Sequence, residues 1–332
     1  SDSKPGSRLR GLRAKTDLAA ACAWRPWRFR AGMRRLLAAL LLASSMSAQS
    51  ASLQTISDAA VRSSLTRFAP EKLKPEEIAL TLVDLRDSAK PEWASVRGGE
   101  MIYPASVIKV FYLAATHRWM EDGHLTDTPE VRRAMKDMIV DSSNDATHYL
   151  IDLLTGTTSG PELPEAEIRG WFDKRNAVTR HFTHLGYTGV YAHKKPWGDG
   201  PYGRESQAIR LFEPKRNMLT TDDTARLLVE IVNGKSVTPA RSREMLELMK
   251  RDPAAPTADP DDQVKFSGPG LPAGTRLWSK AGWTSQTRHD AIYVELPGGA
   301  RFVLVTFTVG HASNREILRH VAAEVSRAMA AR

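Results

Sequence analysis

Tyr103-Pro104-Ala105-Ser106-Val107-Ile108-Lys109 is the stretch whose reading decides the fold. Pro104 closes an extended segment, and residues 107–120 are apolar almost all round, so the spacing predicts a helix buried in the core. Ser106 and Lys109 stand three apart at its start. On a helix that spacing puts both side chains on one face, about one turn apart. A serine hydroxyl is a weak nucleophile that needs an adjacent base. Ser106 and Lys109 therefore read as an attacking group and its activator. The pair is common by chance, so its weight depends on the rest of the chain.

Outward from this point, residues 78–85 read as a strand and 92–97 as its partner, with Gly98-Gly99 as a turn. Residues 53–68 have helical spacing that stops before Pro70. Thr128-Pro129-Glu130 and Thr238-Pro239 are helix starts with proline at the first helical position. Residues 145–154 and 224–232 are helical in spacing. Residues 186–216 show no periodicity, and a loop that long inside a compact domain is usually functional. Strands are expected at 276–281, 291–296 and 301–309, with Pro297-Gly298-Gly299 as a hairpin turn, and residues 314–331 form an amphipathic helix. The order is helix, strands, helical block, strands, helix. It predicts an α/β fold of the α+β type. An antiparallel sheet is built from both chain ends and flanked by N- and C-terminal helices, with an all-helical subdomain inserted. The sheet part is expected at about 52–115 and 263–332, and the helical part at about 116–262.

The first fifty residues differ from this pattern. Met33-Arg34-Arg35, the run Leu36-Leu37-Ala38-Ala39-Leu40-Leu41-Leu42-Ala43, and small residues around Ala48-Gln49-Ser50-Ala51 read as a secretory signal peptide over 33–51, with 1–32 as an upstream extension. The apolar run is shorter than the roughly 20 residues of a membrane span. The expectation is a periplasmic or secreted protein without a span after cleavage. The chain carries 47 Lys+Arg against 38 Asp+Glu, but residues 1–52 hold ten of the basic residues and two of the acidic ones. The remainder is nearly neutral, so the basic balance gives no argument for nucleic-acid binding. The single cysteine, Cys22, lies in the leader, which leaves the rest without a disulfide, a thiolate nucleophile or a cysteine-ligated metal.

Two further motifs follow Ser106-x-x-Lys109: Ser142-Ser143-Asn144 at a break between helices, and Lys280-Ala281-Gly282 at the end of a strand. In order and spacing the three resemble the S-x-x-K, S-D-N and K-T-G set of class A β-lactamases and penicillin-binding proteins. The resemblance spans nearly all of the chain after the leader. It implies acyl transfer through a Ser106 acyl-enzyme, with Lys109 as base, Ser142 relaying a proton to the leaving nitrogen, and Asn144 holding Lys109 and a substrate amide. It further implies that Lys280 supplies positive charge for a substrate carboxylate, that Gly282 is among the substrate-binding residues, and that the Ser106 and Trp283 backbone N–H groups form an oxyanion hole. The implied substrate is a small β-lactam or a peptidoglycan-like molecule. The implied protein is a monomer with no metal and no organic cofactor. A D-alanyl-D-alanine peptidase and a non-catalytic periplasmic binding protein of this fold are the other readings.

The departures bear on turnover. Ala281 replaces the usual Thr or Ser and removes a hydroxyl expected to bind the substrate carboxylate; Thr284, Ser285, Arg288 or His289 are the nearby replacements. Class A enzymes carry an E-x-x-L-N motif whose Glu activates the deacylating water, and none occurs in the long loop. Glu205 and Glu213 are the glutamates inside that loop, and each reads more readily as a solvated charge. Ser142 and Asn144 fit helix capping as well as chemistry. Trp197, Tyr191 and Tyr202 fit loop anchoring as well as a cleft wall. His181 and His184 lack metal-site company.

Overall fold

The computed structural model describes residues 51–197 and 200–332, so the upstream extension expected at 1–32 and all but the last residue of the signal peptide expected at 33–51 lie outside the described residues. A six-stranded antiparallel sheet forms the centre. Its strands are β1 (Ile78–Asp84), β2 (Glu92–Val96), β5 (Lys250–Arg251), β6 (Arg276–Trp283), β7 (Thr287–Glu295) and β8 (Arg301–Val309), in the order β2-β1-β8-β7-β6-β5. Strand β1 pairs with β8 from Ile78↔Thr308 to Asp84↔Phe302, so the two chain ends are zipped together at the middle of the sheet. A two-stranded ribbon joins β3 (Val190–Tyr191) to β4 (Met218–Leu219).

Alternation along the strands divides two apolar layers. Leu80, Leu82, Ile292, Val294, Phe302 and Leu304 face the terminal helices α1 (Leu53–Arg67) and α10 (Glu316–Ala331), which bring Ile56, Ile317 and Val321 to them. Ala79, Val83, Val303, Val305 and Phe307 face the other way. Against them pack α2 (Lys109–Glu121) and α8 (Thr221–Val232). Helix α2 is buried on all sides, as its sequence requires, with Val110, Phe111, Tyr112 and Leu113 fully inaccessible.

The other helices are α3 (Pro129–Ile139), α4 (Asn144–Thr155), α5 (Glu165–Arg175), α6 (Ala177–His184), α7 (Gly203–Leu211) and α9 (Pro239–Met249). Thr128 and Thr238 cap α3 and α9, each hydroxyl accepting from a backbone N–H three residues on. The local expectations change in two ways. Helix α7 lies inside the segment read as aperiodic, and β3, β4 and β5 lie inside the part expected to be all-helical. Among the described residues no helix is long and apolar enough to cross a membrane.

Candidate active site

Ser106 sits on a short 3₁₀ turn, Ala105–Ile108, that leads directly into α2. Strand β6 fixes the turn from beside. A Cβ placed on Gly282 would stand 2.7 Å from the Ser106 nitrogen and 2.8 Å from both the Pro104 oxygen and the Val107 nitrogen. Only glycine admits the turn this close. Ala105 (φ +47°) and Ser142 (φ +54°) both adopt the left-handed region, which disfavours side chains, and such strain gathers at functional sites. Ser106, Ser142, Asn144, Ala281 and Trp283 line one cleft of about 840 Å³. The three sequence motifs therefore meet in one place.

The second motif resolves a choice left open by its composition. Ser143, the middle residue, is the N-cap of α4, its hydroxyl accepting from the Ala146 N–H at 3.2 Å. That leaves the side chains of Ser142 and Asn144 for other partners. Lys109 Nζ donates to the Ser142 carbonyl at 2.6 Å and to Asn144 Oδ1 at 2.9 Å, and lies 3.3 Å from Ser142 Oγ. Lys280 Nζ reaches the same Ser142 Oγ at 3.0 Å, and also donates to Gln263 Oε1 at 2.7 Å and the Ala281 carbonyl at 2.8 Å. One hydroxyl thus stands between two buried amines.

Both lysines are fully inaccessible, and among the described residues no carboxylate hydrogen-bonds either of them. Burial away from water disfavours a charged amine. It lowers Lys109 from the usual lysine value to about 7. Lys280 is also pushed well down, by its own burial first and by the neighbouring Lys109 second. An amine near 7 exchanges a proton readily at neutral pH. Among the described residues no hydrogen bond joins Ser106 Oγ to Lys109 Nζ. Ser142 and Asn144 hold the amine.

The open edge of β6 supplies backbone donors. The Thr284 N–H points inward to β7 and donates to the Thr287 carbonyl, whereas the Ala281 N–H points outward and donates to Gln263 Oε1 at 3.1 Å. By the alternation of a strand, the Trp283 N–H shares the outward edge with Ala281. It lies beside the Ser106 turn, and the Trp283 ring is half exposed at the cleft.

Several candidates take other roles. His289 is fully buried and does not face a ligand. Its Nδ1 accepts from the Thr308 N–H at 3.1 Å, its Nε2 hydrogen-bonds the Tyr103 carbonyl at 2.9 Å, and burial lowers it to about 4. The Thr284 hydroxyl closes the β6–β7 hairpin by accepting from the Gln286 and Thr287 N–H groups. Lys280 is directed at Ser142 and Gln263 and does not open into the cleft. Arg288 lies behind Asp261, donating to Oδ1 at 3.1 Å, with its guanidinium 3.8 Å from the centre of the Phe266 ring. Ala281 packs with Phe266 and Leu318.

Glu205 corrects the expectation of a solvated charge. It is 4% exposed, its Oε1 lying 2.9 Å from Arg175 Nη2 and accepting from Ser159 Oγ at 2.8 Å. Arg175 and Lys195 also pair with Asp152 on α4. Glu213 is exposed, as expected. Trp197 packs on His148 and Tyr202, outside the lining of the Ser106 cleft. His181 packs on Trp119, and His184 bonds the Arg180 carbonyl.

Gln263 is the residue the sequence did not reveal. Its amide nitrogen donates to the Ile139 and Val140 carbonyls, while its oxygen accepts from Lys280 and Ala281. A lone glutamine after two aspartates carries no motif.

Solved structures with this architecture include a mutant of PBP-A as an acyl-enzyme complex with penicillin G. It is 19% identical, with a TM-score of 0.57, and the match covers 82% of this chain and 96% of that one. A beta lactamase from Xanthomonas campestris is 16% identical with a TM-score of 0.59, covering 82% and 98%. The ancestral class A beta-lactamase designated GNCA is 18% identical with a TM-score of 0.56, covering 82% and 98%. These likenesses establish the fold. Comparison with curated protein sequences gives no match. The model of the beta-lactamase enzyme family matches residues 125–332, a stretch that holds Ser142, Asn144, Lys280 and Gly282. By that match, and with the sheet and cleft that frame it, the chain belongs to the beta-lactamase enzyme family of serine hydrolases.

Proposed function

We propose that the protein is a secreted acyl-transfer enzyme that opens β-lactams or related amides and esters through a Ser106 acyl-enzyme and releases the acyl group slowly. The observation that carries this reading is the arrangement around Ser142: a buried Lys109 near neutrality on one side and Lys280 on the other, both held by uncharged oxygens. Ser106 Oγ attacks the carbonyl carbon while its proton passes to the neutral Lys109 amine. The carbonyl oxygen takes up negative charge between the Ser106 and Trp283 N–H groups, where one donor is worth roughly 3–4 kcal/mol of barrier. The carbon–nitrogen bond then breaks, and Ser142 passes a proton from the lysine side to the departing nitrogen.

Slow release follows from the same place. Among the described residues no carboxylate touches Lys109, and Glu205 is committed to Arg175 and Ser159. Among the described residues, a water attacking the ester meets no carboxylate joined to Lys109 by a hydrogen bond. This favours, as a second reading, a penicillin-binding peptidase that uses the same machinery on a peptide ending in D-alanyl-D-alanine. Secretion is supported by the basic, apolar and small-residue sequence of 33–51.

The test is incubation with labelled penicillin and with a chromogenic cephalosporin. The expected result is a one-to-one adduct on Ser106 that decays over many minutes, and none with Ser106→Ala. Rapid steady turnover overturns slow release. Equal behaviour of wild type and Ser106→Ala overturns the acyl-enzyme itself. Release of D-alanine from a stem-peptide mimic, together with a stable penicillin adduct, selects the peptidase reading.

A further inference from the structure

Arg288, Arg315, Arg251 and Lys280, around the cleft, are committed to the protein's own acceptors. Arg288, on the strand next to β6, gives its Nη1 hydrogen to Asp261, is 2% exposed, and has Phe266 over its face. Its Nε and Nη2 are buried without a partner, so they do not open to a ligand in the cleft. Arg315 donates to the same Asp261 oxygen at 3.0 Å through Nη2. Arg251 gives its two Nη groups to the Leu248, Lys250 and Ile139 carbonyls. Lys280 has three N–H groups and three neutral acceptors.

The carboxylates are what the cleft shows. Asp141, Asp252, Asp259, Asp261 and Asp262 line it, with Lys250 exposed at the rim. Ala281 adds no hydroxyl at the strand. Asp261, about a quarter exposed, stands in front of Arg288 and puts its own carboxylate where an incoming anion would have to go.

We infer that this cleft selects acyl donors without a carboxylate, because Asp261 already fills the anion position before Arg288. The inference rests on the acyl-transfer reading above and narrows it: the preferred substrates are neutral or cationic amides and esters. An anionic donor must displace Asp261 from both arginines or face like charge, and like-charge juxtaposition costs several kcal/mol.

Penicillin G and its methyl ester test this with one acyl group in two charge states. The rate of Ser106 adduct formation is followed by mass spectrometry, each rate normalised to that probe's hydrolysis by hydroxide. The ester is expected to acylate wild type at least about tenfold faster than the acid. Asp261→Asn should raise the rate with the acid about tenfold and leave the ester within about twofold. A Ser106 adduct that forms faster with the acid in wild type overturns the inference alone, and so does a D261N variant that shifts both probes equally. The wild-type comparison stands even if the variant fails to fold. No Ser106 adduct with either probe overturns the acyl-transfer reading, and this inference with it.

Discussion

Two buried clusters in this protein each hold two long cationic side chains, and they treat them in opposite ways. Beside the ribbon of β3 and β4, Arg175 and Lys195 meet two carboxylates, Asp152 and Glu205, with the Thr157 and Ser159 hydroxyls filling the remaining positions. At the cleft, the acceptors that Lys109 and Lys280 reach among the described residues are all neutral oxygens. A paired buried ion stays charged and locks its surroundings; an unpaired one moves its pKa. The first cluster is therefore a clasp on the loop. The second holds two amines whose charge burial disfavours. What separates them is the presence of a carboxylate, since burial is the same in both.

The sharpest way to break the comparison is to remove one amine from the cleft. Lys109→Met should lower the acylation rate by about 10²–10⁴-fold, the usual worth of a positioned base. Because Lys109 has no ionic partner to orphan, thermal unfolding should stay level or shift upward. A stability loss as large as the activity loss would mean that Lys109 is structural, like Arg175. Next in size, Glu205→Gln should destabilise the fold by about 3–5 kcal/mol in chemical denaturation, because Arg175 would keep a buried charge with half its partners. Acylation by the folded fraction should change far less. If E205Q instead accelerated or abolished turnover with stability intact, the clasp would belong to the chemistry.

The smallest effect sharpens the second cluster. Lys109 is lowered to about 7 by burial, so it is protonated and inactive as a base below that value and free above it. Acylation should rise with pH to a plateau, falling about tenfold for each unit below 7. A profile flat from pH 5 to 8 would remove the neutral amine from the mechanism. Salt should matter little to this midpoint, because the amine is buried and screening acts mainly on exposed charges.

What the sequence made legible was whatever repeats locally. The apolar run of 107–120 foretold a core helix. The strand expected at 301–309 and the Thr-Pro helix starts foretold elements found with nearly the same limits. The three motifs foretold that Ser106, Ser142 and Lys280 share a site. Pairings across long separations were not legible. Glu205 looked like a loop charge because Arg175 lies 30 residues earlier and Ser159 lies 46 residues earlier. His289 looked available because nothing local announces the Tyr103 carbonyl and the Thr308 N–H on either side of its ring. Strand β5 is two residues long and is defined wholly by its partner Leu277–Trp278. Ser143 was placed correctly in the motif, but its part as the cap, which frees its two neighbours, follows from the turn geometry at Ser142.

The amide of Gln263 has a mechanical consequence. It holds the carbonyls at the end of α3 with one end and the edge of β6 with the other, and these are the two banks of the cleft. Two banks stapled through a single planar group cannot gape or shear without breaking several buried hydrogen bonds at once, each leaving an unsatisfied group that costs about 1–3 kcal/mol. The cleft is thus a fixed-width slot, and a donor enters it by fitting, since the walls are not free to close around it.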